Sequence, residues 1–152
     1  MHKNRFLAPA LSIANNTVPF SVAQSNQNKD FFIQKEGVHY AGTHLIIDLW
    51  KATNLDNINL IEQAFKEAID EAGATLLHIH LHQFEPNGGI SGVAVLAESH
   101  ISVHTWPEKG YAAFDVFMCG DAKPYKVLPV LKRHFKPEHT HINEQLRGAK
   151  IL

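Results

Sequence analysis

Four strand-like runs follow one another between residues 75 and 118, and they restrict the fold more than any other feature of the chain. In residues 75–84, leucine and isoleucine alternate with three histidines, the period of a strand with one face in a core. The other runs are residues 90–97, 100–106 and 111–118, with turn residues between them. Runs this close in sequence pair as antiparallel neighbours, so the pattern predicts an antiparallel-rich sheet.

Two apolar stripes at helical spacing flank these runs. The first consists of Ile58, Ile61, Ala64, Phe65, Ala68, Ile69 and Ala72. Gly73 closes this helix, and the segment 54–59 supplies turn and cap residues. The second stripe consists of Val127, Leu128, Leu131 and Phe135. Asp121 is predicted to cap the second helix, and Pro124 to lie in its first turn. Pro129 is expected to kink the helix or to delay its start.

Two further strands are predicted at residues 43–50 and 139–146, which completes the order β-α-β-β-β-β-α-β. This order predicts an α/β (α+β) two-layer sandwich, in which one antiparallel-rich sheet carries two helices on one face. The other face is then left for a partner subunit. Residues 1–36 are polar and have no sustained period, so we interpret them as an N-terminal extension. Residues 37–152 are predicted to form a single domain.

Composition excludes several classes of function. The 152 residues carry a net charge of -1, so there is no basic field for nucleic acid. No apolar run approaches the ~20 residues of a membrane helix, and no membrane association is predicted. The lone cysteine, Cys119, excludes an internal disulfide, and a cytoplasmic location is expected.

Reactive side chains concentrate in residues 91–120, among apolar neighbours that would keep a site dry. The hydroxyl of Ser99 could attack the carbonyl carbon of Glu98 if the backbone between the strands is strained. His104 could act as a base, and Cys119 as a proton donor or nucleophile. Spacing alone leaves open the alternative that Ser99 is an ordinary turn serine.

Three segments resemble one enzyme family. The sequence AESHISVHTWPE at residues 97–108 resembles the signature of the S-adenosylmethionine decarboxylase proenzymes, in their short bacterial and archaeal form. Residues 111–120, YAAFDVFMCG, and residues 42–49, GTHLIIDL, are similar to the same family. The resemblance spans about residues 42–135 of this chain.

The resemblance implies that the chain cleaves itself between Glu98 and Ser99. The products would be a β chain of residues 1–98 and an α chain of residues 99–152, with Ser99 converted to a pyruvoyl group. His104 and Ser91 match residues that assist this processing. Cys119 matches the cysteine that protonates the product carbon. For the substrate, Glu108 matches a glutamate that binds ribose hydroxyls, and Phe84 an aromatic residue that stacks on adenine.

The implied activity is that of a carboxy-lyase acting on S-adenosylmethionine. The substrate amine would form a Schiff base with the pyruvoyl cofactor, whose carbonyl delocalises the electrons left by decarboxylation. The product would be the aminopropyl donor for spermidine synthesis. The family also implies a homodimer in which residues of both copies lie near each active site.

Two alternatives stay open at this level. The same mechanism could act on arginine or ornithine, with Ser99, His104 and Cys119 unchanged. The chain could instead be an uncleaved, non-catalytic binding or regulatory protein, metal-loaded through its histidines. His78, His80 and His82 share a strand face, but no carboxylate or cysteine partner is close in sequence, and no metal site is predicted. Trp50 and Trp106 are interpreted as packing anchors.

Overall fold

The structure, a computed structural model, describes residues 32–151 and the side chains of residues 32–149. In chain order the main elements are β1 (Ile33–Lys35), β2 (Val38–Tyr40), β3 (Gly42–Trp50), α1 (Ile58–Glu71), β4 (Leu76–Gln83), β5 (Ile90–Leu96), β6 (Ser99–Trp106), β7 (Tyr111–Cys119), α2 (Val127–Phe135), β8 (His139–Arg147) and β9 (Lys150–Ile151). The predicted extension, residues 1–36, lies mostly outside the described residues.

Six strands form the main sheet, in the order β4-β5-β6-β7-β3-β8. Every neighbouring pair in it is antiparallel. The predicted two-layer α+β fold and its order of eight elements are therefore confirmed. A second sheet, β1-β2-β9, was not predicted, and β1 lies within the last residues of the predicted extension. Its strands have two or three residues, which is too short to show a period of two in the sequence.

Helix α1 begins and ends as its sequence predicts. Asn57 is the N-cap, and its side chain accepts a hydrogen bond of 3.0 Å from the backbone N–H of Leu60. After the helix, Gly73 adopts φ +70°, a left-handed conformation that glycine tolerates without steric cost. In the part of the chain that the structure describes, no helix is long and apolar enough to cross a membrane.

The start of α2 differs from the prediction. Asp121 does not cap it; a 3₁₀ turn, Pro124–Lys126, precedes the helix, and Lys126 at the N-cap makes no capping hydrogen bond through its side chain. Pro129 therefore falls in the first turn of α2, where its missing N–H has no intrahelical acceptor to lose. The expected delay of the helix start by Pro129 is what the structure shows.

The core lies between one face of the main sheet and the two helices. Alternate residues of the central strands are fully buried there, as in Leu45, Ile47 and Leu49 of β3, and they pack against Ile61, Ala64, Phe65 and Leu131 of the helices. The remaining residues of each strand point to the opposite side. We call this opposite side the open face; no described element covers it, and Ile46, Trp50, Val95 and Trp106 are each about two-fifths exposed on it.

A small ionic cluster joins the two helices. Glu67 of α1 accepts a hydrogen bond of 2.6 Å from His134 Nε2 and another from Arg133, both at the end of α2. The bonds from His134 and Arg133 lower the pKa of the Glu67 carboxyl. A lowered pKa means that the carboxylate stabilises the fold above the ordinary carboxyl pKa, and that this stabilisation is lost as the pH falls through the lowered value.

Glu67→Gln is therefore expected to lower the urea midpoint at neutral pH, and to lower it less at acidic pH, where the wild-type carboxyl is also protonated. Urea unfolding of both proteins at several pH values measures this. Glu62→Gln is the matched control, because Glu62 pairs only with the exposed Lys66 on the surface of α1. Equal effects of the two substitutions at neutral pH would contradict the proposed stabilising role of Glu67.

Candidate active site

The bond predicted to break lies in a two-residue turn between β5 and β6. Leu96 pairs with Ser99, so Ala97 and Glu98 form the turn. Glu98 has φ +64°, in the left-handed region that residues with a Cβ rarely adopt. Such a conformation costs on the order of 1–3 kcal/mol and persists only where the surrounding structure enforces it. The residue before the predicted scissile bond is thus held in an unfavourable backbone conformation.

Ser99, the first residue of β6, is only 9% exposed. Its Oγ accepts a hydrogen bond of 3.1 Å from the backbone N–H of Cys119, at the end of β7. A donor aimed at this oxygen stabilises negative charge that develops on it. Glu98, Ser99 and Cys119 therefore form one group of reactive residues, which we call the Ser99 cluster.

The thiol of Cys119 is held in its protonated form. Burial raises its pKa, and the negative charge of Glu98 raises it further. A thiol with a raised pKa is a proton donor at neutral pH rather than a nucleophilic thiolate. Of the two roles that the sequence left open for this residue, the electrostatics favour proton donation.

A second group of predicted residues lies near the other end of β6. Ser91 of β5 and His104 of β6 are directly opposite each other, and Ser91 Oγ lies 2.8 Å from His104 Nδ1. Both side chains line a cavity of about 270 Å³ together with Phe84 and Glu108. Phe84 is 51% exposed, so its ring is available for stacking. Phe84, Ser91, His104 and Glu108 form the group that we call the His104 cluster.

The structure keeps the two clusters apart within one copy of the chain. Ser99 and His104 are five residues apart on one strand, which corresponds to about 17 Å at the rise of an extended chain. All seven predicted site residues thus lie in two compact groups, but the base predicted for processing is far from the serine it would act on. The rise per residue of the predicted strand was enough to derive this separation from the sequence.

Two features near the clusters were missed by the sequence reasoning. Phe32, Ile33 and Gln34 line a cavity of about 500 Å³ together with Glu98 and Cys119, although they precede the segment with family resemblance.

The second feature is a stack of three aromatic rings. The ring centroid of Tyr111 lies 4.4 Å from that of Trp50 and 5.2 Å from that of Trp106. Both tryptophans pack against Tyr111, and all three rings lie on the open face. In β3 and β6 the even-numbered residues point away from the helices, so neither tryptophan enters the core.

Within residues 32–149, no group of three or more histidine, cysteine, aspartate and glutamate side chains is arranged to hold a metal ion. The three histidines of β4 do share one face, through their pairing with Val95, Val93 and Ser91 of β5. No described acidic or thiol side chain completes a coordination shell around them.

Comparison with known proteins gives one consistent result. The family model described as S-adenosylmethionine decarboxylase matches residues 43–148. An S-adenosylmethionine decarboxylase proenzyme of Thermomicrobium roseum is 43% identical over 111 residues, which are 72% of this chain and 96% of that protein. A protein of the same name from Methanococcus maripaludis is 46% identical over 110 residues, 70% of this chain and 89% of its own length. The crystal structure of the adenosylmethionine decarboxylase from Aquifex aeolicus superposes with a TM-score of 0.66 at 34% identity, and the match covers 72% of this chain and 92% of that one.

Proposed function

Because this chain belongs to the S-adenosylmethionine decarboxylase family, we propose that it makes a pyruvoyl cofactor from its own Ser99. The chain is a decarboxylase that acts on S-adenosylmethionine, as predicted from the sequence. Its two relatives described above are named as proenzymes, which supports self-processing. Nothing in the comparisons supports arginine, ornithine or a non-catalytic binding role. The product that we propose is the aminopropyl donor for spermidine synthesis.

The hydrogen bond from Cys119 N–H to Ser99 Oγ, beside the strained Glu98, is the observation that carries the proposal. In the first step, Ser99 Oγ attacks the Glu98 carbonyl carbon, the peptide C–N bond breaks, and the hydroxyl proton passes to the Ser99 nitrogen, which gives an ester and a free amine. Release of the left-handed Glu98 conformation favours this step. The Cys119 N–H stabilises the charge on the attacking oxygen.

The second step needs a base at the α-carbon of Ser99. Removal of the α-proton expels the Glu98 carboxylate and leaves a dehydroalanine, which tautomerises to an imine; water then releases ammonia and leaves a ketone. His104 is the base that we assign to this step, with Ser91 hydrogen-bonded to its Nδ1. In the tautomer in which Nδ1 donates its proton to Ser91 Oγ, the other imidazole nitrogen, Nε2, has a free lone pair and can take the proton.

A pyruvoyl group at position 99 would supply a ketone for Schiff-base formation with the substrate amine and an adjacent amide carbonyl to delocalise the electron pair left by loss of carbon dioxide. The surroundings of Ser99 fit such a group, because the residue is buried and the Cys119 N–H is directed at its side-chain position. Cys119 then protonates the product carbon, which its raised pKa allows at neutral pH.

A second copy of the chain supplies the missing base in this proposal. A two-fold axis between two open faces, perpendicular to the strands and level with Ser102, brings the Ser99 cluster of one copy opposite the His104 cluster of its partner. Each of the two sites is incomplete without the other copy. The exposed apolar residues Ile46, Val95, Trp50 and Trp106 on the open face suit burial in such an interface.

The substrate spans the two clusters in this arrangement. Phe84 stacks on the adenine from the His104 cluster, and the Glu108 carboxylate accepts hydrogen bonds from two neighbouring ribose hydroxyls. Both side chains line the same cavity of about 270 Å³. The amino-acid end of the substrate then reaches the Ser99 position of the other copy.

The intact mass of the purified protein under denaturing conditions tests the proposal. We expect two chains, separated between Glu98 and Ser99, with the second lighter by one ammonia than a chain that begins with serine. A single uncut chain that persists after long incubation would show that Ser99 is an ordinary turn serine. Two chains with an unmodified serine would show hydrolysis without cofactor formation.

Cys119→Ala separates turnover from processing. The substitution keeps the backbone N–H that bonds to Ser99 Oγ, so we expect normal cleavage. It removes the proposed proton donor, so kcat for S-adenosylmethionine should fall by about 10²–10⁴-fold. Cleavage is followed by mass and turnover by release of carbon dioxide. Met118→Leu, a volume-conserving change at the preceding core position, is the control and should leave kcat within about threefold. Unchanged turnover in Cys119→Ala would remove the residue from the mechanism.

A further inference from the structure

Every histidine of the six-stranded sheet lies on the open face. The strand registers align His78, His100 and His44 in one row and His82, His104 and His141 in another. The other two are His80, opposite Val93, and His139, opposite Trp50. Directly opposed residues share a face of an antiparallel sheet, so all eight imidazoles point away from the helices.

Fewer carboxylates than histidines face this side. At the open-face positions of the six strands, the carboxylates are Asp48 and Asp115, and the permanent cation is Arg147. From the adjoining loops, Glu85 and Glu108 line the cavity that contains His104, and Glu138 lies close enough to His139 to interact with it electrostatically. Tyr111 and Cys119 also belong to this face. The hydrogen bond to Asp48 raises the pKa of Tyr111 to about 12, and burial raises that of Cys119, so both stay neutral near pH 7. Protonated histidines would therefore give this face a large positive charge.

At the centre of the face, the His44 ring lies between an arginine and an aspartate side chain. Arg147 Nη1 donates a hydrogen bond of 3.2 Å to His44 Nδ1, which must therefore carry no proton. His44 Nε2 lies 3.0 Å from Asp115 Oδ1 and donates to it.

His100 packs beside this group. Its ring lies 6.2 Å from the His44 ring and 5.7 Å from the Phe117 ring, with Val95 opposite it on β5. Burial lowers the pKa of His100, and the nearby His44 and Arg147 lower it further, against the opposing effect of Asp115. Even in a single copy, the surroundings of this residue favour its neutral form.

We propose that two copies associate through the open face only while its histidines are neutral, so that acidification separates the copies and takes both active sites apart. The proposal rests on the dimer of the proposed function. Face-to-face packing removes imidazoles from water and brings the histidines of one copy close to those of its partner. Loss of hydration and repulsion between like charges both disfavour the protonated forms. The dimer therefore binds fewer protons than two separate copies.

The direction of the pH effect follows from this difference in bound protons. A base whose pKa is lower in the dimer than in the free chain favours association above the pKa of the free chain, and this preference is lost as the pH falls below it. Imidazole ordinarily titrates near about 6.5. A histidine that is protonated in the free chain and neutral in the dimer releases two protons per dimer on association, one from each copy. Below the pKa of the free chain, one such histidine raises the dissociation constant of the dimer by about 100-fold for each unit by which the pH falls.

Sedimentation velocity of the processed protein between about pH 8 and pH 5.5 tests the proposal across the range where imidazole titrates. We expect a dimer at the alkaline end, and a dissociation constant that rises by at least about 100-fold per unit at the acidic end. Circular dichroism at each pH confirms that the separated chains stay folded. Activity should fall in parallel with the fraction of dimer.

His80→Gln removes one open-face histidine, opposite Val93 of β5, without touching either cluster, and it should reduce the pH dependence by up to about 100-fold per unit. His134→Gln, in α2 and away from the open face, is the control and should titrate like the wild type. A dissociation constant that does not change with pH, or identical pH dependence of association in His80→Gln and wild type, overturns the proposal. Monomer at every pH overturns it together with the proposed dimer, whereas the intact mass still reports independently on self-cleavage.

Discussion

Ser99→Ala is expected to yield a single uncut chain with no carbonyl group and no decarboxylase activity. Without Oγ there is no nucleophile for the Glu98 carbonyl and no hydroxyl-derived leaving group for the elimination, so activity should fall by at least about 10⁴-fold. The fold should survive, because Ser99 lies at the end of β6 and its side chain makes one hydrogen bond among the described contacts. Denaturing mass spectrometry and a carbonyl-reactive hydrazide report the two losses separately.

Ser102→Ala is the matched control for this experiment. Ser102 lies on the same strand, but its hydroxyl faces Asp115 at a distance of 3.5 Å and is remote from the turn that holds the scissile bond. We expect normal cleavage and a normal carbonyl content from it. A cleaved chain from Ser99→Ala would place the processing nucleophile elsewhere in the protein.

Mixing two inactive variants is expected to restore processing in one of them. His104→Ala alone should stay uncut or be processed far more slowly, by about 10²–10⁴-fold, because the base for the elimination is missing. Ser99→Ala alone cannot be cut. In a mixed dimer, the His104→Ala chain contributes an intact Ser99 and its partner contributes an intact His104, so one complete site forms per dimer.

The experiment is co-expression of the two chains with different tags, followed by the intact mass of each. We expect cleavage of the His104→Ala chain only, and only when it is paired with Ser99→Ala. Pairing it with a Ser99→Ala, His104→Ala double variant is the control and should give no cleavage. Cleavage that is absent from the mixed dimer but present in wild type would show that Ser99 and His104 act within one copy, despite the separation of about 17 Å along β6.

Local sequence pattern was sufficient for most of the fold. The alternation in residues 75–84 and the three strand-like runs that follow it predicted four strands at nearly the positions of β4 to β7. Such patterns arise because each strand has one buried and one open side. The apolar stripe of α1, a cap within residues 54–59 and the closing Gly73 were likewise predictable, since a helix end is decided by a few neighbouring residues. The start of α2 was less predictable, because Asp121 and Pro124 offered an earlier start than the one the chain uses.

The family was also decided by the sequence, because residues 97–108 form one continuous motif and the comparisons confirm it. The motif predicted most of the reactive side chains, but a motif carries no distances. Ser99 and His104 belong to the same short segment, and only their placement on an extended strand moves them to opposite ends of it.

Tertiary pairing decided what no local pattern contains. The strand order β4-β5-β6-β7-β3-β8 brings histidines that lie as far apart in the chain as His44 and His141 onto one uncovered face. It also places Cys119 N–H against Ser99 Oγ across 20 residues of sequence, and it aligns Trp50 with Tyr111 and Trp106. The sequence by itself determined which strands exist and predicted which groups react. The register between distant strands, which depends on long-range hydrogen bonds and on burial of one face, determined which of those groups meet in one copy and which stay apart.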